Sequence, residues 1–129
     1  LGKADLIISV EPMEALRYLP WLSADGWLIT NSQPFVNIPN YPDEELIKKE
    51  IDNLPHSLMI NADQIAKDLG SERSANMVIL GAASPYLQMD FEALENAVSE
   101  VFAKKGDDIV AMNLACLNAG RTYAMQQLR

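Results

Sequence analysis

The sequence predicts a three-layer α/β/α fold with a mostly parallel sheet, and it leaves a mixed sheet open. Three observations carry that expectation. Short apolar runs rich in β-branched residues, Leu6 to Val10, Trp27 to Thr30 and Leu58 to Ile60, stand between turn residues, as buried parallel strands do. Segments with apolar residues at helical spacing alternate with those runs. Residues 4 to 31 also have the length and order of a βαβ crossover, a connection that is right-handed almost without exception.

In chain order, Ala4 to Val10 reads as the first strand and stops at Glu11-Pro12. Pro12 suits the first turn of a helix that carries Met13, Leu16 and Leu19 on one side, with Trp21 open as a fourth, until Ser23-Ala24-Asp25-Gly26 breaks the pattern. Trp27 to Asn31 is the second strand. Residues 32 to 42 hold Pro34, Pro39 and Pro42 among Asn and Ser, a composition that reads as a loop. Asp43 to Asn53 predicts an exposed amphipathic helix with Leu46, Ile47, Ile51 and Leu54 on one side, and with Glu44–Lys48 and Glu45–Lys49 in the favourable i, i+4 order.

Ser57 to Ile60 is the third strand. Asn61 and Gln64 resemble a capping box for a helix with Ile65 and Leu69, which Gly70 ends. Ser71 or Ser74 is placed to cap Ala75 to Ala83, apolar nearly all round and so a buried helix, in which Gly81, Ala82 and Ala83 permit close backbone approach. Asp90 opens a helix with Phe91, Leu94, Val98, Val101 and Phe102 inward, and Gly106 closes it. Asp107 to Arg129 predicts a long last helix, with Val110, Leu114, Leu117, Ala124 and Leu128 on one stripe. Ala111, Ala115 and Ala119 form a small-residue strip beside it, a surface suited to packing on another subunit.

The 129 residues are 49% hydrophobic, enough for one core, so a single domain over residues 1–129 is expected. Three strands are few for an α/β sheet and the chain begins almost on one, so the fold reads as lacking its first βα unit. Ten Lys and Arg against eighteen Asp and Glu give a net charge of −8, and the cations are scattered, which argues against nucleic acid as a partner. No apolar run approaches the roughly 20 residues of a membrane span, and no signal peptide opens the chain, so no membrane partner and a cytoplasmic location are expected. Cys116 and His56 are the single residues of their kinds. An iron–sulfur cluster or a structural zinc takes about four such ligands, so neither a cofactor nor a metal is expected on this chain.

Three stretches together resemble the gamma-type domain of 2-oxoacid:ferredoxin oxidoreductases, and within it the small subunits of indolepyruvate oxidoreductases. They are Ala4-Asp5-Leu6-Ile7-Ile8-Ser9-Val10-Glu11-Pro12-Met13-Glu14-Ala15-Leu16-Arg17, Gly26-Trp27-Leu28-Ile29-Thr30-Asn31, and Asn76-Met77-Val78-Ile79-Leu80-Gly81-Ala82. The Gly-rich strand, loop and helix that precede the first stretch in the family are absent. The resemblance implies a complex that oxidatively decarboxylates a 2-oxoacid such as pyruvate or indolepyruvate, forms acyl-CoA and passes electrons to ferredoxin. Thiamine diphosphate, iron–sulfur clusters and coenzyme A would belong to the complex, with a large partner subunit holding the first two. This chain, not catalytic alone, would assist assembly and active-site closure.

Two residues stand out as interface or ligand-proximal candidates, and no residue as catalytic. Glu11 follows the carboxyl end of a parallel strand, where α/β folds place their sites, though a carboxylate there also complements the start of a helix. Asn76 can bond across an interface or satisfy local backbone. His56 has no triad or metal-ligand context, and Cys116 reads as a small buried hydrophobe. Asp107 and Asp108 read as a helix-start pair. A free-standing nucleotide-binding module is the alternative class, opposed by the lack of a G-x-G-x-x-G after any strand. A purely structural interaction module differs from the first reading mainly in its partner.

Overall fold

The computed structural model describes residues 2–32 and 44–127. The predicted proline loop beyond Ser32, the helix start at Asp43, the side chain of Glu44 with its pairing to Lys48, and Leu128 lie outside the described residues. The chain forms two compact units, Leu1–Asn61 and Ala62–Arg129.

The first unit alternates strands and helices: β1 (Ala4–Ser9), α1 (Pro12–Arg17), a 3-10 turn at Leu19–Trp21, β2 (Leu22–Asn31), α2 (Glu44–Asp52) and β3 (Ser57–Ile60). The sheet order is β1-β2-β3 and both strand pairs are parallel, so the predicted α/β class with a parallel sheet is observed. Ile7 pairs with Leu28, Ser9 with Thr30, and Asn31 with Ile60. Leu28 and Ala15 are fully buried in one cluster with Ile47 and Ile51, against which Ile7, Met13, Leu16, Leu19, Leu54 and Met59 pack. Each fully buried Leu or Ile is worth about 1.5–3 kcal/mol, and this cluster seats α1 and α2 on the sheet. The stripe of α2 is therefore Ile47, Ile51 and Leu54. Leu46, predicted beside them, is 62% exposed, one residue round the helix from the buried line.

β2 begins five residues before the predicted strand. Ala4 pairs with Leu22 and Leu6 with Trp27, so the excess residues of β2 bulge out of the ladder. Ser23 to Gly26 have turn composition because they do bulge, yet the strand resumes on both sides of them. At Gly26 a Cβ would lie 2.8 Å from the Ala4 carbonyl oxygen, so glycine is what lets the two strands close up again.

The second unit is helical: α3 (Ala62–Asp68), α4 (Ala75–Ala83), α5 (Phe91–Phe102) and α6 (Asp107–Gln127), with 3-10 turns at Glu72–Ser74, Ser84–Tyr86 and Ala103–Lys105. Gly70 ends α3 as predicted. Its φ of +92° allows Ser71 N–H to donate back to the Ala66 carbonyl at 2.8 Å, a Schellman closure. Gly106, at φ +107°, separates α5 from α6. Neither Ser71 nor Ser74 caps α4 through its side chain. The chain enters α4 from a 3-10 turn, where Ser74 lacks the extended backbone a cap residue uses, and the two hydroxyls bond each other at 2.8 Å.

The approach of α4 and α6 organises this unit. A Cβ on Gly81 would lie 1.9 Å from the Leu117 carbonyl oxygen, and one on Gly120 would lie 1.9 Å from the Val78 carbonyl oxygen. The helices thus touch backbone to backbone at two reciprocal points, as the Gly81-Ala82-Ala83 stretch suggested. On the other side of this contact, Leu94, Val98 and Leu117 form a core with Met77, Leu80, Phe91, Phe102 and Leu114 around it. One expectation fails here. Val101 is 72% exposed, because α6 is met along the i, i+4 row Leu94, Val98, Phe102. The buried face of α6 is Asn113, Cys116, Leu117, Gly120 and Ala124, and Ala111 and Ala115 lie exposed beside it.

Candidate functional site

Four buried polar residues gather where β1 and β2 end: Ser9, Glu11, Thr30 and Asn31. The sequence places them there because each strand's apolar run gives out at its carboxyl end, which in parallel sheets is the edge that carries sites. Buried polar groups demand partners, and these find them locally. The Ser9 hydroxyl donates to the Glu11 carbonyl at 2.6 Å and accepts from the Glu11 N–H at 3.2 Å. The Thr30 hydroxyl donates to the Asn31 carbonyl at 3.1 Å.

Glu11 is 1% exposed. It is the N-cap of α1, and both its oxygens are used: Oε1 accepts from Met13 N–H at 3.2 Å and Oε2 from Glu14 N–H at 3.0 Å. Pro12 at the first helical position has no N–H to satisfy, so the carboxylate reaches the next two. The structure thus gives Glu11 the helix-start role beside its place at the strand edge.

Asn76 belongs to the second unit, in the first turn of α4, and its side chain is exposed. It is held in no hydrogen bond among the described residues, so the local backbone does not claim it. Glu11 and Asn76 lie in separate units.

Of the remaining single-copy residues, His56 stacks on Trp27, ring centroids 5.0 Å apart and 28° from parallel. It is thereby a packing residue at the entry of β3. Cys116 is fully buried on α6. Burial pushes its thiol up from the ordinary value, with a smaller opposite pull from a hydrogen bond to Ser74, so it is no activated nucleophile. Asp107 and Asp108 occupy the exposed first turn of α6. Among the described residues no three His, Cys, Asp or Glu side chains converge to hold a metal, and no helix is long and apolar enough to cross a membrane. With one cysteine, and that buried, the residues present do not fit an iron–sulfur cluster.

Of this buried polar group the sequence singles out Glu11 and not Ser9, Thr30 or Asn31. The signal these three carry in the sequence is that of polar residues at the ends of apolar runs.

The fold recurs as one part of a much longer solved chain. It superposes on 2-oxoglutarate:ferredoxin oxidoreductase from Magnetococcus marinus, a structure with 2-oxoglutarate, coenzyme A and succinyl-CoA bound, with a TM-score of 0.69 and 24% identity, over 95% of this chain and 20% of that one. The pyruvate ferredoxin/flavodoxin oxidoreductase family matches residues 1–123, and the chain belongs to that family. Similar relatives include indolepyruvate oxidoreductase subunit IorB of Archaeoglobus fulgidus, 32% identical over 96% of this chain, and that of Thermococcus kodakarensis, 35% identical over 98%. The chain spans 65% and 66% of the length of those two relatives.

Proposed function

We propose that this chain is a component of a thiamine-dependent 2-oxoacid:ferredoxin oxidoreductase and that its two units work as one gamma-type domain. The observation that carries this reading is the family match over residues 1–123, joined by indolepyruvate oxidoreductase subunits aligned along nearly the whole chain. Indolepyruvate is the 2-oxoacid those relatives' names favour, ahead of pyruvate.

The chain contributes structure and not redox chemistry. Its one cysteine is buried and cannot supply the thiolates of a cluster. Thiamine diphosphate and the iron–sulfur clusters belong to a large partner subunit, coenzyme A is the acyl acceptor of the complex, and ferredoxin takes the electrons. The chain's own part is to complete the assembly and help close the neighbouring active site in the cytoplasm. Glu11, at the carboxyl edge of the sheet, and Asn76, an exposed amide unclaimed by local backbone, are its interface or ligand-proximal residues.

The test is to tag the full-length protein in its native host, isolate it without oxygen, and assay the product for iron, sulfide and thiamine diphosphate. A stoichiometric large partner carrying all three is the expected result, with 2-oxoacid-dependent reduction of ferredoxin. A colourless homo-oligomer without them would overturn the reading.

A further inference from the structure

A cleft of about 410 Å³ opens on the second unit, lined by Phe91, Asn118, Arg121, Thr122, Met125 and Gln126. Among the described residues, its one charged lining residue is Arg121. The guanidinium lies over the Phe91 ring, 4.3 Å from the centroid, and Nη1 donates to the Ser84 hydroxyl at 3.1 Å. Ser84 is buried, and its own proton goes to the Gly81 carbonyl at 2.6 Å, so the hydroxyl can only accept from the arginine. The backbone beneath is equally fixed, because a Cβ on Gly81 would lie 3.1 Å from Arg121 N. The cation is therefore held in one place by a ring, a hydroxyl and the tightest helix contact in this unit.

It is held there without a carboxylate. In a chain with eighteen acids and ten basic residues, no acid comes within ion-pair distance of Arg121 among the described residues. The Glu95 carboxylate accepts instead from the Asn118 amide at 3.1 Å. A guanidinium has five N–H donors in a planar fork, and one of them is used here. A planar fork fixed in place with its remaining donors unspent matches the two oxygens of an oxyanion. Thr122 and Gln126 add neutral donors beside it, and Met125, 44% exposed, offers an apolar wall.

We propose that this cleft is an oxyanion-binding site in which Arg121 engages a carboxylate or a phosphate group, the rest of the ligand lying along Met125. The volume suits a small ligand, since such sites run from about 300 to 1,000 Å³. The inference stands on the geometry of the cleft and not on the reading of the whole protein's function.

The experiment titrates the isotope-labelled full-length chain with sodium phosphate and, separately, sodium acetate, at constant ionic strength, following the Arg121 Nε–H and the Thr122 and Gln126 amide signals by NMR. Saturable shifts confined to the cleft, with a midpoint on the order of 1–10 mM, are expected for so small a probe. They should vanish in Arg121→Met and weaken about tenfold in Arg121→Lys, which keeps the charge and loses the fork. Gln126→Met, at an exposed position that leaves the arginine's supports intact, should weaken binding less. Tighter binding of phosphate points to a phosphate ester, and tighter binding of acetate to a carboxylic acid. Shifts that fail to saturate, that appear equally at Lys67 and Arg73, or that survive in Arg121→Met would overturn the proposal.

Discussion

In the first unit the helices meet the sheet through side chains: Leu28, Ile47 and Ile51 fill the space between layers, and the strands hold one another by backbone hydrogen bonds. In the second unit α4 and α6 meet through their backbones, because Gly81 and Gly120 have no side chain to keep them apart. A layer filled by side chains loses contacts when one is trimmed, because its neighbours close the gap only in part. A contact between two backbones has no room for an added atom, because rigid helices must move as wholes. The two units should therefore fail under opposite kinds of substitution, the first when atoms are removed and the second when they are added.

The largest effect is expected from adding one methyl group. Gly81→Ala and Gly120→Ala each place a carbon 1.9 Å from a carbonyl oxygen of the facing helix, which no rotamer change can relieve. Each should cost about 3 kcal/mol or more despite the better helix propensity of alanine, above the usual overpacking range. Chemical denaturation with hydrogen exchange along α4 and α6 measures this. A variant as stable as the parent would mean that the helices do not touch there. Leu28→Ala is the counterpart in the first unit and should cost about 2–5 kcal/mol through the cavity it leaves. Its amide-exchange losses should concentrate in β1, β2 and β3, and an equal loss throughout α4 and α6 would erase the distinction between the units.

How much was legible in the sequence divides along the same line. β3 was read at its observed bounds and β1 to within a residue, because a buried parallel strand is written in its own side chains. The faces of the helices in the second unit were read less well. Apolar spacing nominated Val101, which is exposed, and ranked Ile65 and Leu69 above the fully buried Ala62 and Ala66. Where helices pack closely, the inward residues are the small ones, and a scale that rewards bulk points away from them. The bulge at Ser23 to Gly26 was hidden for a different reason: its pairing depends on Ala4, far away in sequence. At the candidate site, Glu11 was visible because its place between strand and Pro12 is local, whereas Ser9, Thr30 and Asn31 join it only once the strands are paired in register.

A smaller effect tests the junction of strand and helix in the first unit. Glu11→Ala removes both acceptors from Met13 N–H and Glu14 N–H and should cost about 1–2 kcal/mol. Glu11→Gln keeps one acceptor and should cost less. If Glu11 also serves an interface, both variants should weaken association with a partner by more than their stability loss explains. A loss of association that merely tracks stability would leave capping as its whole role.

The smallest effect appears only in alkali and probes the second unit from inside its contact. Cys116 is fully buried on the inward face of α6, and burial raises its thiol above the ordinary value of 9.0, outweighing the hydrogen bond to Ser74. A group whose folded pKa is raised contributes stability that is fully present below its unfolded pKa and is lost as pH rises through the folded one. The unfolded chain releases the Cys116 proton first, so alkali pulls the equilibrium toward unfolding. Cys116→Ala removes this pull together with the packing of the sulfur. At pH 7 the variant should be the less stable by about 1 kcal/mol for the lost contacts. As pH rises past 9 the gap should narrow, since only the parent pays the ionisation cost. Tyr86, also raised by burial, titrates in both proteins and cancels from the difference. A gap that stays constant to the alkaline limit of the measurement would show that Cys116 ionises alike in the folded and unfolded chain, and that the backbone contact at Gly81 and Gly120 does not seal the interior around it.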